Sequence, residues 1–222
     1  MSFNVAIDGP AGAGKSTIAK AAAEQMGFIY VDTGAMYRAI GLYYLDHDID
    51  IYDEELCSKH LDDILVTLRY NDGLQEVLLN GENVSDRIRT EGVGEAASVT
   101  SQYPEVREKL LDLQRKMARE YDVIMDGRDI GTTILPDAKL KVFLTASVEV
   151  RAKRRMEELN EKGIDARLET VIREIAERDY RDMNREVSPL KKAEDAVVVD
   201  TSDMTIEEVE EKIVSLIKER MD

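Results

Sequence analysis

The chain has 222 residues, 43% hydrophobic and 34% charged, with a formal net charge of −16. That balance suits one well-buried α/β domain with insertions and excludes a disordered chain. So acidic a protein is not expected to present a broad nucleic-acid or anionic-membrane surface, although a local cationic pocket for a small anion remains open.

In chain order, FNVAID is strand-like and runs into a glycine loop, then the helical TIAKAAAEQM. FIYVD is a second strand, followed by TGAMYRAIGLYYL in helical register. The middle differs. Ile64, Val66, Leu68 and Tyr70 alternate with Leu65, Thr67 and Arg69, and the turn signals NDG (71–73) and NG (80–81) flank LQEVLL. This pattern predicts a small antiparallel meander. Val106, Leu110 and Leu113 recur at helical spacing between Tyr103 and Arg119. DVIMD, LKVFL and AVVVD are three more strands. A charged helix EVRAKRRMEEL, a loop NEKGID and a helix over 166–185 separate the last two. The final helix opens with a capping box at Thr205 and Glu208. Short apolar strands alternating with helices predict a parallel sheet covered on both faces.

Residues 9–17 read GPAGAGKST and satisfy G-x-x-x-x-G-K-[ST]. Gly9, Pro10, Ala11, Gly12, Ala13, Gly14, Lys15, Ser16 and Thr17 form the candidate phosphate cradle, with backbone N–H groups from all but Pro10. Glycines let these groups converge on phosphate oxygens, and the following helix adds partial positive charge. Lys15 is expected to reach the β and γ phosphates of ATP, and the Ser16 hydroxyl to bind Mg²⁺. The sequence holds neither the N-K-x-D of guanine-specific enzymes nor an LSGGQ-like signature. A small-molecule kinase is the remaining class.

In such a sheet, ligands gather at the C-terminal ends of the strands. Two further strand ends carry arginine: DTGAMYR holds Thr33 and Arg38, and DGRD holds Asp126, Arg128 and Asp129. An alcohol acceptor calls for a general base. A nucleoside monophosphate is already ionised, and the difficulty is repulsion between anions, which guanidinium forks offset. The arginine supply favours a phosphate acceptor. Asp126 has two readings, an acid holding Mg²⁺-bound water or a structural aspartate.

GPAGAGKST, DTGAMYR, IRTEGVGEAAS, PEVRE, DGRDIGT and ERDYRDMNR, in this order, resemble bacterial cytidylate kinases over essentially the whole chain. The resemblance implies a three-layer P-loop NTPase with a five-stranded parallel sheet, a core over 1–32, 111–150 and 166–222, an NMP-binding insertion over 33–110 and a lid over 151–165. It implies ATP-dependent phosphorylation of CMP and dCMP. By that likeness Arg38, Arg128 and Arg185 clamp the CMP phosphate, Asp182 and Arg178 sit near the ribose, and Ser98, Arg107 and Asp129 read cytosine. Lys153, Arg154 and Arg155 either swing over the ATP phosphates or form a solvated face. Lys15, Arg128, Arg154 and Arg185 are the expected catalytic set. Arg178, Arg181, Asp182 and Arg185 share one helical stripe facing the nucleotides, with Asp182 pairing Arg178 and Arg185, and Asp179 merely solvated. Two rivals stay open: a kinase for another nucleotide or small metabolite, and a nucleotide-binding regulatory module. Cys57 is the only cysteine, so no intrachain disulfide can form, and MSFNVAIDG lacks the features of an export signal. A cytoplasmic monomer acting on small molecules, without membrane or nucleic-acid partners, is the expectation.

Overall fold

The computed structural model describes residues 2–71, 74–161 and 163–221. Its strands are β1 (Asn4–Asp8), β2 (Ile29–Asp32), β3 (Val66–Asn71), β4 (Leu74–Leu79), β5 (Glu82–Asn83), β6 (Val123–Gly127), β7 (Leu140–Thr145) and β8 (Val197–Asp200). Its helices are α1 (Lys15–Met26), α2 (Thr33–Asp46), α3 (Glu54–Lys59), α4 (Glu91–Thr100), α5 (Pro104–Glu120), α6 (Val148–Glu161), α7 (Leu168–Asn184) and α8 (Ile206–Met221). A five-stranded parallel sheet runs in the order β2-β6-β1-β7-β8.

Alternation along the strands explains the layers. Val5, Ile7 and Ile124 point to one face, where Ile18, Ala22, Ile213 and Ile217 of α1 and α8 cover them. Ala6, Val123 and Met125 point to the other, against Met36 and Ile40 of α2 and Val106 and Leu110 of α5. Successive strand residues face opposite sides, so a strand buried on both must be apolar throughout. The order reverses direction at β1, with β6 on one side and β7 on the other, which opens a crevice at its carboxyl end. Register aligns the ends there: Asp8 stands opposite Gly127, and Asp32 opposite Asp126.

The meander forms as expected, with strand order β3-β4-β5. Ile64 and Val66 are buried while Leu65 and Arg69 are exposed, so the period of two holds. Asn80 and Gly81 both have positive φ, 50° and 87°, and join β4 to β5 as the primed turn that hairpin twist requires. The other expected turn, NDG, includes Asp72 and Gly73, which lie outside the described residues. The capping box closes reciprocally: Thr205 N–H donates to Glu208 Oε2 at 2.9 Å, and Glu208 N–H to Thr205 Oγ1 at 3.2 Å.

Helices α3 and α4 carried no periodic signal that reveals them. In α4, EGVGEAASVT has small residues where a large apolar stripe would stand, and Ala96 and Ala97 are buried nonetheless. The joints expected at 110/111 and 150/151 fall inside the continuous helices α5 and α6. The helix expected to run through Arg185 ends at Asn184, and Arg185 caps it in extended conformation. The loop expected from Asn160 starts later, because α6 includes Asn160 and Glu161. Lys162 of that loop lies outside the described residues. Among the described residues no helix is long and apolar enough to cross a membrane.

Candidate active site

The glycine loop after β1 is shaped by contact with β7. Gly9 has φ 153°, and a Cβ there would lie 1.9 Å from the Leu144 carbonyl oxygen, so only glycine fits. Gly14 caps α1 in left-handed conformation with no side-chain hydrogen bond, leaving first-turn N–H groups available to an anion. Lys15 is buried and donates Nζ to the Pro10 carbonyl at 2.8 Å, spanning the loop. Burial, with the neighbouring Arg128 charge, pushes its ammonium down to about 7. Ser16 Oγ donates to Asp126 Oδ2 at 2.9 Å, and Tyr30 Oη to Asp126 Oδ1 at 3.0 Å. Burial, reinforced by Asp32, pushes the Asp126 carboxyl up to about 6.

The segment after β6 is set by the sheet. Asp8, at the end of β1, accepts the N–H groups of Ile130 and Gly131 at 2.7 and 2.8 Å. This fixes the π-helical turn Ile130–Ile134 and with it Asp129 at the turn's start. Burial pushes the Asp8 carboxyl up to about 6 against those two bonds.

Arginines from several elements converge beside this turn. Arg107 of α5 is ion-paired to Asp129, donates to the Ser101 carbonyl at 3.2 Å, and lies 5.6 Å from the Tyr37 ring centre. Arg185 Nη2 reaches Asp129 Oδ1 at 3.4 Å, and its Nε donates to the Ser188 carbonyl at 2.6 Å. Arg128 Nε donates to Asp182 Oδ2 at 2.8 Å. Burial acts to raise the Asp182 carboxyl, but Arg128 and Arg178 outweigh it and hold it below the usual range. Arg38 of α2 donates to the Ile88 carbonyl at 3.2 Å. Burial, with Arg128 adding repulsion, lowers Arg178 to about 10. Among the described residues, Asn4 Oδ1, Arg178 Nε, Arg181 Nε and the Ser98 hydroxyl are buried with no hydrogen-bond partner. Asn4 lies at the start of β1, while Ser98 is on α4 and Arg178 and Arg181 are on α7. Arg38, Arg107, Arg128, Arg178 and Arg185 are set among the carboxylates Asp32, Asp126, Asp129, Asp179 and Asp182. Ser16 of the loop bonds Asp126, two residues before Arg128, which sets the arginine cluster beside the glycine loop.

The model of one family, described as "Cytidylate kinase", matches residues 5–219. The chain belongs to the cytidylate kinase family. It is 51% identical over 218 residues to the cytidylate kinase of Lactobacillus johnsonii, covering 98% of this chain and 95% of that one. It is 48% identical over 221 residues to that of Bacillus subtilis, covering 98% and 97%. A solved structure of an uncharacterised protein from Eubacterium ventriosum superposes with a TM-score of 0.54 at 15% identity, covering 99% of each chain, a likeness of fold.

Within this family member, most of the residues singled out from sequence come together, and some do not. Thr33 Oγ1 donates to the Asp126 carbonyl at 2.7 Å, beside the site but already engaged. Arg154 lies apart, donating to Thr201 Oγ1 at 3.1 Å and to the Thr201 carbonyl at 2.8 Å. Arg155 pairs with Glu158 at 2.9 Å. Two local expectations are corrected. Asp182 makes its hydrogen-bonded ion pair with Arg128 across the fold, with Arg178 and Arg185 acting on it through their charge, because Arg185 leaves the helix and turns to Asp129. Asp179 is not solvated: it is buried, accepts the Ala11 N–H at 3.2 Å and pairs with Arg151 at 2.6 Å. Sequence reasoning also passed over Asp8, Tyr30, Arg89 and Arg151. Arg89 reaches Asp32 at 3.0 Å, a pairing 57 residues apart that no local spacing announces. Only the position of Asp8, a carboxylate ending an apolar strand, was visible.

Proposed function

We propose that the chain transfers the γ-phosphoryl group of ATP to CMP and dCMP, giving ADP with CDP or dCDP. Asp129 carries the reading. It is a buried carboxylate held between Arg107 and Arg185, and Arg107 also bonds the Ser101 carbonyl at the end of α4, the helix that carries the unpartnered Ser98 hydroxyl. A carboxylate has about four acceptor sites. Two guanidinium contacts therefore leave capacity for the cytosine amino group, while Arg107 donates toward N3 and O2. Uracil presents an acceptor where cytosine presents that donor, and a site built on the contact rejects it.

No general base is needed, since the acceptor phosphate is already ionised. The task is to hold two anions together in line. Arg38, Arg128 and Arg185 bind the CMP phosphate, and Arg178 and Asp182 lie toward the ribose. Lys15 and the N–H groups of residues 9–17 hold the β and γ phosphates of ATP. The arginine charge, fixed beforehand by Asp129 and Asp182, stabilises the transferring group without reorganisation. Mg²⁺ fits the Ser16 hydroxyl and the buried Asp126 carboxylate bonded to it, both hard oxygen donors. When bound it neutralises phosphate charge. The lid over 151–165 excludes water as a competing acceptor. Recruiting Arg154 would require it to leave Thr201. The reading carries with it a cytoplasmic monomer.

The test is ADP release with and without CMP. Strong CMP-dependent stimulation is expected. Tight ATP binding with no turnover on any acceptor would instead indicate a nucleotide-binding regulatory module.

A further inference from the structure

A buried ion pair joins α6 and α7 to the glycine loop, and the reaction scheme leaves it unused. Arg151 is 4% exposed and Asp179 6%. Arg151 Nη1 donates to Asp179 Oδ2 at 2.6 Å and to the Ala11 carbonyl at 2.9 Å, while the Ala11 N–H donates to Asp179 Oδ1 at 3.2 Å. Arg151 Nε also donates to the Ala146 carbonyl at 2.9 Å, tying the pair to the segment after β7. Both polar groups of one loop residue are thus held by side chains 140 and 168 positions away.

The location matters because α7 serves both substrates. Asp179 directly follows Arg178, and Asp182 lies three residues on, both in the arginine cluster. Between α6 and α7 the buried apolar residues are Ala152, Val171 and Ile175, with Val148, Met156, Leu159, Ala166, Leu168 and Ile172 packed against them. This cluster holds α6 to α7, while the polar pair is what ties both helices to Ala11 of the loop.

We propose that Asp179 and Arg151 are positioning residues for the donor nucleotide. They fix the Ala11 peptide, and so the N–H array of the loop, in register with the helix that carries the acceptor arginines. The inference rests on the kinase reading but not on the identity of the base.

The experiment compares KM for ATP with KM for the acceptor. Asp179→Asn keeps an acceptor for the Ala11 N–H but drops the charge facing Arg151; Asp179→Ala removes both. KM for ATP is expected to rise roughly tenfold in Asp179→Ala and less in Asp179→Asn, with KM for CMP within about twofold. A merely structural role would lower the active fraction without moving either KM, or raise both together, and either result overturns the proposal. Stranding one buried charge threatens folding, so the paired variant Arg151→Met/Asp179→Leu replaces both charges with apolar groups of similar size. It should fold and show the same selective rise in KM for ATP; a wild-type value would overturn the proposal. If the wild-type protein turns over a different nucleotide, the base reading falls, while the same KM comparison with that acceptor still decides this inference.

Discussion

The donor and acceptor ends of the proposed site are built by different means. In that proposal the donor end is mostly backbone: the loop's N–H groups, glycine conformations and helix terminus would do the binding, with Lys15 as its main side chain. The acceptor end is mostly side chains, drawn from α2, α4, α5, the end of β6 and α7. Its charges are held in pairs, Arg128 with Asp182 and Arg107 and Arg185 with Asp129. A backbone site is written in one contiguous motif and few substitutions can erase it. A side-chain site is dispersed, and removing one partner strands another buried charge.

The largest effect should come from the one donor-end side chain that cannot be replaced by backbone. Lys15→Met is expected to lower kcat by about 10³-fold, in the range found for removing a transition-state donor. Steady-state ADP release at saturating CMP measures it. A loss of only a few-fold would mean the backbone alone suffices. At the acceptor end, Arg128→Met frees Asp182 and removes a phosphate contact together. It should cost roughly 10²-fold in kcat/KM for CMP. KM for ATP should change far less; equal changes in both would erase the distinction between the ends.

How much was legible follows the same division. The sheet and its helices could be read from apolar runs and turn signals, because propensity and burial agree there. GPAGAGKST could be read because all its parts are neighbours in sequence. The arginines at strand ends were visible as types in place, but their roles came through resemblance to a family. What stayed hidden were α4, whose packing uses small residues, and the partnerships of buried charges. Nothing in ERDYRDMNR indicates that Asp179 reaches the loop at Ala11 while Asp182 reaches Arg128. Pairings over such separations exist only once the chain is folded.

Base recognition gives a finer test of the acceptor end. Asp129→Ala should reduce the CMP-over-UMP preference by roughly 10²-fold while KM for ATP moves much less. Unchanged selectivity would remove Asp129 from base reading. The donor end has a titration signature instead. Burial holds the free Lys15 near 7, and bound phosphates favour its charged form and pull it upward. ATP binding should therefore take up protons above that pH, and affinity should fall as pH rises, by up to about tenfold per unit for one proton. Calorimetry at pH 8 in two buffers of different ionisation enthalpy reads the uptake; none would contradict the assignment. The smallest effect is expected from Tyr30→Phe, which removes one of two donors to Asp126 and should cost about 1 kcal/mol of stability in thermal or urea unfolding.

The central claim is that the acceptor end is built for cytosine nucleotides. ADP release measured across CMP, dCMP, UMP, AMP, GMP and dTMP at equal concentration tests it most directly. CMP and dCMP should far exceed the rest in kcat/KM, and a clear preference for AMP, GMP or dTMP would contradict it.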